Sequence, residues 1–218
     1  MRGLIFDFDG LIIDTETLTA KIAMQIVAER GGTSQLTDWV ELFGPVGPEV
    51  QEAWARTLER ILGADVDREE FHSTLSNRRR PLVDELQPLP GVLDAMEAAR
   101  KKGWKVGLAT GHGGTPLMAT LERLDLLDRL DAIVHTRDVA RGKPAPDIFL
   151  ETARRLDLEP RDCLVLEDSL AGYEAARAAG MEVVICPCEV TKHSAFPEDA
   201  AVIASLIDLD LDNYADGH

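Results

Sequence analysis

The chain has 218 residues, with 39 Asp or Glu against 23 Lys or Arg, for a net charge of −16. That length buries a real core and suits one domain, or one domain carrying a smaller inserted one. The negative charge repels phosphate backbones and anionic lipid, so neither nucleic acid nor a membrane is expected as a partner.

The N-terminus has one Arg and a four-residue apolar run, then acids from position 7, too short and too acidic for a secretory signal. No segment reaches the length of a membrane span. Cys163, Cys186 and Cys188 make an odd count without paired Cys-x-x-Cys motifs, which fits reduced thiols in a reducing compartment. Cys186-Pro187-Cys188 reads as strand-end packing. The expected location is the cytoplasm.

In chain order, Gly3-Leu4-Ile5-Phe6 is an apolar run stopped by Asp7-Phe8-Asp9-Gly10, the pattern of a buried strand entering a turn. Two carboxylates at a strand's carboxyl end suit a nucleophile and an acid. A polar turn closing an ordinary strand is the plainer alternative, and these residues alone leave both open. Leu18, Ile22, Ile26 and Val27 then recur at helical spacing up to Gly31-Gly32. Trp39, Val40 and Phe43 lead to the break Gly44-Pro45-Val46-Gly47-Pro48, followed by stripes at Val50, Trp54, Leu58, Ile61 and Leu62 and at Phe71 and Leu75. With no strand signal from Asp14 to Val83, residues 14–83 read as a small helical bundle.

After Pro88-Leu89-Pro90-Gly91 the pattern alternates helices with short apolar runs, the mark of βαβ units on a parallel sheet. A helix at Val92 to Ala99 ends at Gly103, and Val106 to Ala109 is a strand. A helix near Leu117 to Leu127, the run Ala132-Ile133-Val134 and a helix from Asp147 to Leu156 follow. Cys163 to Leu166, a helix ending at Gly180, Val183-Val184-Ile185 and a short strand at Ala201-Val202-Ile203 complete the set. The tail from Asp208 to His218 is acidic and expected to be loose. The first strand belongs by composition with this second block, so the predicted domains are a core of residues 1–13 and 84–218 and a helical insertion of residues 14–83.

Three further signals fall at predicted strand ends. Thr110-Gly111-His112-Gly113-Gly114 offers a hydroxyl and flexible amides before a helix, which suits a phosphate, although a helix cap or plain turn has the same look. Lys143 stands in Arg141-Gly142-Lys143-Pro144-Ala145-Pro146, clamped by Gly and Pro. Glu167-Asp168-Ser169 ends a strand and starts a helix, where Asp168 or Ser169 as a mere N-cap is the alternative. Together, Asp7, Asp9, Glu167 and Asp168 outweigh Lys143 by three negative charges, which would repel a phosphate dianion. A divalent cation and a protonated Asp9 would balance the site, and all-oxygen ligands favour Mg2+.

With these four motifs in order, the chain resembles the haloacid dehalogenase superfamily, in the branch of sugar-phosphate phosphatases and β-phosphoglucomutases, from Met1 to about Ile207. The resemblance implies a Rossmann-like α/β core of parallel strands with an inserted all-helical cap. It matches Asp7 to the nucleophile that forms an aspartyl-phosphate and Asp9 to the general acid and base. It matches Thr110 and Gly111 to the phosphate-binding motif, and Lys143 to the lysine that offsets charge. Asp168 with Glu167, completed by Asp7 and the Asp9 carbonyl, corresponds to the Mg2+ site. Thr15 resembles a hinge residue able to hold Asp9, an N-cap being as natural, and His112 either touches substrate or turns outward.

Asp9 argues for phosphate esters, because the family's dehalogenases and phosphonatases lack that second acid, and Lys21 is the only lysine between Asp14 and Val83. A mutase needs basic groups over the site, yet Gly44 to Glu49 holds none; Arg56 or Arg78-Arg79-Arg80 are substitutes, although an Arg run at a helix end reads as solvated. The expected activity is therefore Mg2+-dependent hydrolysis of a small phosphorylated metabolite, with a β-phosphoglucomutase-like mutase as the alternative. An inactive binding module is less favoured because no motif residue is missing. A cap that opens and closes over its site suits a monomer.

Overall fold

The computed structural model describes residues 2–46, 48–111 and 115–214. His112, for which a contact with substrate and an outward turn are both open, lies outside them, as do Gly113, Gly114 and Gly47. Six strands form one parallel sheet: β1 (Gly3–Phe6), β2 (Lys105–Thr110), β3 (Ala132–His135), β4 (Cys163–Glu167), β5 (Glu182–Ile185) and β6 (Ala201–Val202). Their order is β3-β2-β1-β4-β5-β6. The direction of winding reverses between β1 and β4, and ligands of open α/β sheets bind at the carboxyl ends beside such a reversal.

The helices are α1 (Thr15–Glu29), α2 (Pro48–Leu62), α3 (Arg68–Val83), α4 (Val92–Lys101), α5 (Thr115–Arg123), α6 (Asp147–Arg155) and α7 (Leu170–Ala178). The central strands are buried on both faces, which explains their nearly continuous apolar runs. Leu4, Phe6, Leu108 and Leu166 pack toward α4 and α5, while Ile5, Ala109 and Val165 pack toward α6 and α7. Trp39, Trp54, Leu58 and Phe71 of the helical insertion build a third apolar cluster, which Cys188 and Val190 from the loop after β5 join. The protein is a Rossmann-like α/β core carrying an all-helical cap.

Two expectations need correction. The helix drawn to Leu127 stops at Arg123, because Asp125 takes a left-handed backbone (φ 56°) and the N–H of Leu126 bonds back to Leu121. Leu127 to Arg129 is a separate 3-10 turn. The tail is not loose through residue 214: Leu206 and Leu211 are buried in the core and Tyr214 packs against it. Acidity of the tail masked an apolar spacing that only the adjacent core makes use of.

Candidate active site

Asp7 follows β1 directly, and its N–H donates to the Leu166 carbonyl (3.0 Å), so the strand alignment with β4 continues into the site. Phe8 to Ile13 then form a tight turn in which Gly10 N–H donates to Ile13 (2.8 Å). Gly10 has φ 85°, and a Cβ there would lie 2.1 Å from Asp168 Oδ2; no other residue type brings this turn so close to the acid.

Lys143 is buried and donates to Asp7 Oδ1 (2.5 Å) and to Glu167 Oε1. Its ammonium lies 5.3 Å from the centroid of Phe149, and a cis Lys143–Pro144 bond follows it. Burial alone would lower the lysine, but the Asp7 and Glu167 charges outweigh it and hold it above its ordinary value. Glu167 Oε2 accepts from Asp168 N, Ser169 N and Ser169 Oγ, each at 2.9 Å, so this acid ties Lys143 to the turn that opens α7. Ser169, not Asp168, caps that helix, accepting from Gly172 N at 3.1 Å. Thr110 closes β2 and is fully buried, and the Gly111 carbonyl accepts from Thr136 Oγ1 at 3.0 Å.

Asp168 is fully buried, and its Oδ1 has no hydrogen-bond partner among the described residues. One oxygen each from Asp7, Glu167 and Asp168 lie within 4.8 Å of one another. Burial, then the charge of Glu167, pushes Asp168 up to about 7. Burial also raises Asp7 well above the usual carboxylate range; Lys143 opposes this, and Glu167 and Asp168 add to it. Such crowded acids with an orphaned oxygen fit a hard divalent cation of the Mg2+ type.

Asp9 Oδ1 accepts from Thr15 Oγ1 (2.5 Å), while Asp14 is the N-cap of α1 through Thr17 N (3.0 Å). The N-cap of α1 is therefore Asp14, and Thr15 is left to bond Asp9. The sequence reading left one site residue among solvated neighbours and did not name another. Arg79, expected to be solvated with its neighbours, is half-buried and reaches Asp9 Oδ1 at 3.7 Å. Phe71, Leu75 and Arg79 are spaced by four, so the buried stripe of α3 already pointed there. Arg78 does face outward, onto Glu29 at 2.7 Å. Glu16, in the first turn of α1, is buried beside Asp168, and burial, then the Asp168 charge, raises it well above the carboxylate range. An acid in a first helical turn has a plain electrostatic role with the helix dipole, and that hid it. Lys21 pairs instead with Glu189 at 2.7 Å.

The cap closes the site through the segment Gly44-Pro45-Val46. Val46 N–H donates to the Lys143 carbonyl (3.0 Å), and Val46 side-chain atoms lie 2.8 Å from where a Cβ on Gly111 or Gly142 would stand. The open cleft at this seam, about 260 Å3, is lined by Asp7, Asp9, Glu16, Lys143, Arg79 and the cap segment. A larger groove of about 780 Å3, between the cap and α7, holds none of the motif residues.

Residues 4–186 match the family of haloacid dehalogenase-like hydrolases. Hexitol phosphatase B of Escherichia coli is 32% identical, over 84% of this chain and 82% of its own. The β-phosphoglucomutase of Bacillus subtilis is 33% identical over 84% of this chain and 82% of its own. Among solved structures, CbbY from Rhodobacter sphaeroides in complex with phosphate has a TM-score of 0.74 at 26% identity, covering 95% of this chain and 96% of that one.

Proposed function

The chain belongs to the haloacid dehalogenase-like hydrolases, and on that premise we propose that it is a Mg2+-dependent phosphatase of a small phosphorylated metabolite, sugar-phosphate-like, in the cytoplasm. The observation that carries this reading is the buried Lys143 bridging Asp7 and Glu167, with Asp9 two residues on at the cavity wall. Asp7 attacks phosphorus in line, the ester P–O bond breaks, and Asp9 gives its proton to the leaving oxygen. Asp9 then takes a proton from water, which attacks the aspartyl-phosphate and frees phosphate and Asp7. Thr110 and Gly111 hold the phosphoryl oxygens, and Lys143 keeps Asp7 oriented and offsets charge. Asp7, Asp168 and, beside them, Glu167 would hold Mg2+, which when bound screens the phosphoryl charge. Thr15 holds Asp9 aside, and Asp9 must leave that bond to reach a substrate oxygen.

A phosphosugar mutase is the second reading, favoured by Arg79, a cap cation placed to meet a second phosphate. Free phosphate released from a panel of sugar, polyol and nucleotide phosphates, beside an isomerisation assay with β-glucose-1-phosphate, tests both. Release that requires Mg2+ and is lost in Asp7→Asn supports the phosphatase. Isomerisation without net release favours the mutase, and silence in both assays rejects catalysis.

A further inference from the structure

Cys188 lies in the loop after β5 and is buried where the cap's apolar cluster meets the core. Its sulfur is 3.2 Å from Thr191 Oγ1, and that hydroxyl donates to Asp168 Oδ2 at 3.0 Å. One donor atom each from Glu16, Asp168 and Cys188 lie within 4.8 Å of one another. Glu16 is 8% exposed and Asp168 0%; each has a buried oxygen, Oε2 and Oδ1, that no N–H or hydroxyl donor among the described residues reaches, and the two carboxyl groups meet one another. Two buried carboxylates this close need either a shared proton or a cation between them.

We propose that Glu16, Asp168 and Cys188 form a second cation site, selective for a thiophilic divalent ion such as Zn2+, which shares Asp168 with the Mg2+ site and blocks it when filled. Sulfur selects against Mg2+, a hard ion that demands oxygen, and two carboxylates with one thiolate suit a borderline ion. Bond lengths of about 2.0–2.3 Å put tetrahedral ligand atoms roughly 3.3–3.8 Å apart, a gap that side-chain rotation closes. Binding expels the thiol proton, and water completes the coordination. Thr191 then orients Asp168 from behind. Because Glu16 stands in the first turn of α1, the ion also ties the start of the cap to the core. The blocking effect rests on the proposed phosphatase reading; the site itself does not.

Anaerobic titration of the reduced full chain with Co2+ tests the site without any turnover. A sulfur-to-cobalt charge-transfer band saturating at one equivalent is expected in the wild type and in Cys186→Ala, and absent in Cys188→Ser. Glu16→Gln is expected to weaken Co2+ by about tenfold or more, Zn2+ to displace it, and excess Mg2+ to raise its apparent Kd. No band in the wild type, or one that survives Cys188→Ser, overturns the site, and indifference to Mg2+ overturns the sharing of Asp168. Should Cys188→Ser not fold, Glu16→Gln decides: unchanged Co2+ affinity overturns the proposal. A failed phosphatase assay leaves the band intact, and a missing band leaves phosphate release intact, so the two readings fail separately.

Discussion

Arg79 and Lys143 are the two cations lining the active-site cleft among the described residues, and they differ in what their removal does. Arg79→Ala takes away the cap's positive charge beside Asp9, so kcat/KM is expected to fall by about 10- to 100-fold with little change in stability. Arg78→Ala, which breaks a solvent-screened, exposed pair with Glu29, serves as the control; steady-state kinetics of both variants check the contrast. Equal effects from the two would deny Arg79 a place at the substrate. Lys143→Met strands Asp7 and Glu167 inside the protein, and breaking a buried pair in this way costs roughly 3–5 kcal/mol. Urea unfolding without Mg2+ measures that loss, which added Mg2+ partly restores.

The cap owes its shape to aromatic packing and its seat to one short segment. Trp39 is fully buried, with its ring centroid 5.4 Å from that of Trp54, and Trp54 lies 6.3 Å from Phe71 of α3. Trp39→Ala is expected to destabilise by about 3–5 kcal/mol, read as a lower denaturant midpoint. Docking of the cap segment is a separate matter. Gly142→Val forces Val46 away from the Lys143 loop, because a Cβ there meets Val46 Cβ at 2.8 Å. Activity is expected to drop by about tenfold while the melting temperature holds, since closure completes the site. Adding Val46→Gly makes room again, so the double variant should recover; no recovery would show that Gly142 acts by another route.

Across the whole molecule, the acid cluster links stability to pH and to metal. Burial and then Glu167 push Asp168 up to about 7, and Asp7 and Glu16 are raised as well. From about pH 4 to about pH 7 the metal-free native state therefore keeps protons at Asp168 that the unfolded chain has lost, and this contribution to stability falls as pH rises, by up to about 1.4 kcal/mol per pH unit. A divalent cation replaces those protons, so Mg2+ should raise Tm more at about pH 7.5 than at about pH 5.5. Calorimetry with and without Mg2+ checks this, and equal shifts at both pH values would contradict it. The apolar runs of β1, β2 and β4 were legible in the chain because strands buried on both faces must be apolar. The motif residues were legible because Asp7, Thr110 and Glu167 stand at the ends of those runs. The stop of α5 at Arg123 and the docking of Leu211 were not, since one depends on a left-handed backbone at Asp125 and the other on a distant partner surface. Local pattern thus determined the α/β core, the helical insertion and the candidate motif residues. Only the tertiary structure decided that Glu16, Arg79 and Cys188 face this site, because residues far apart in sequence meet through the packing of cap on core.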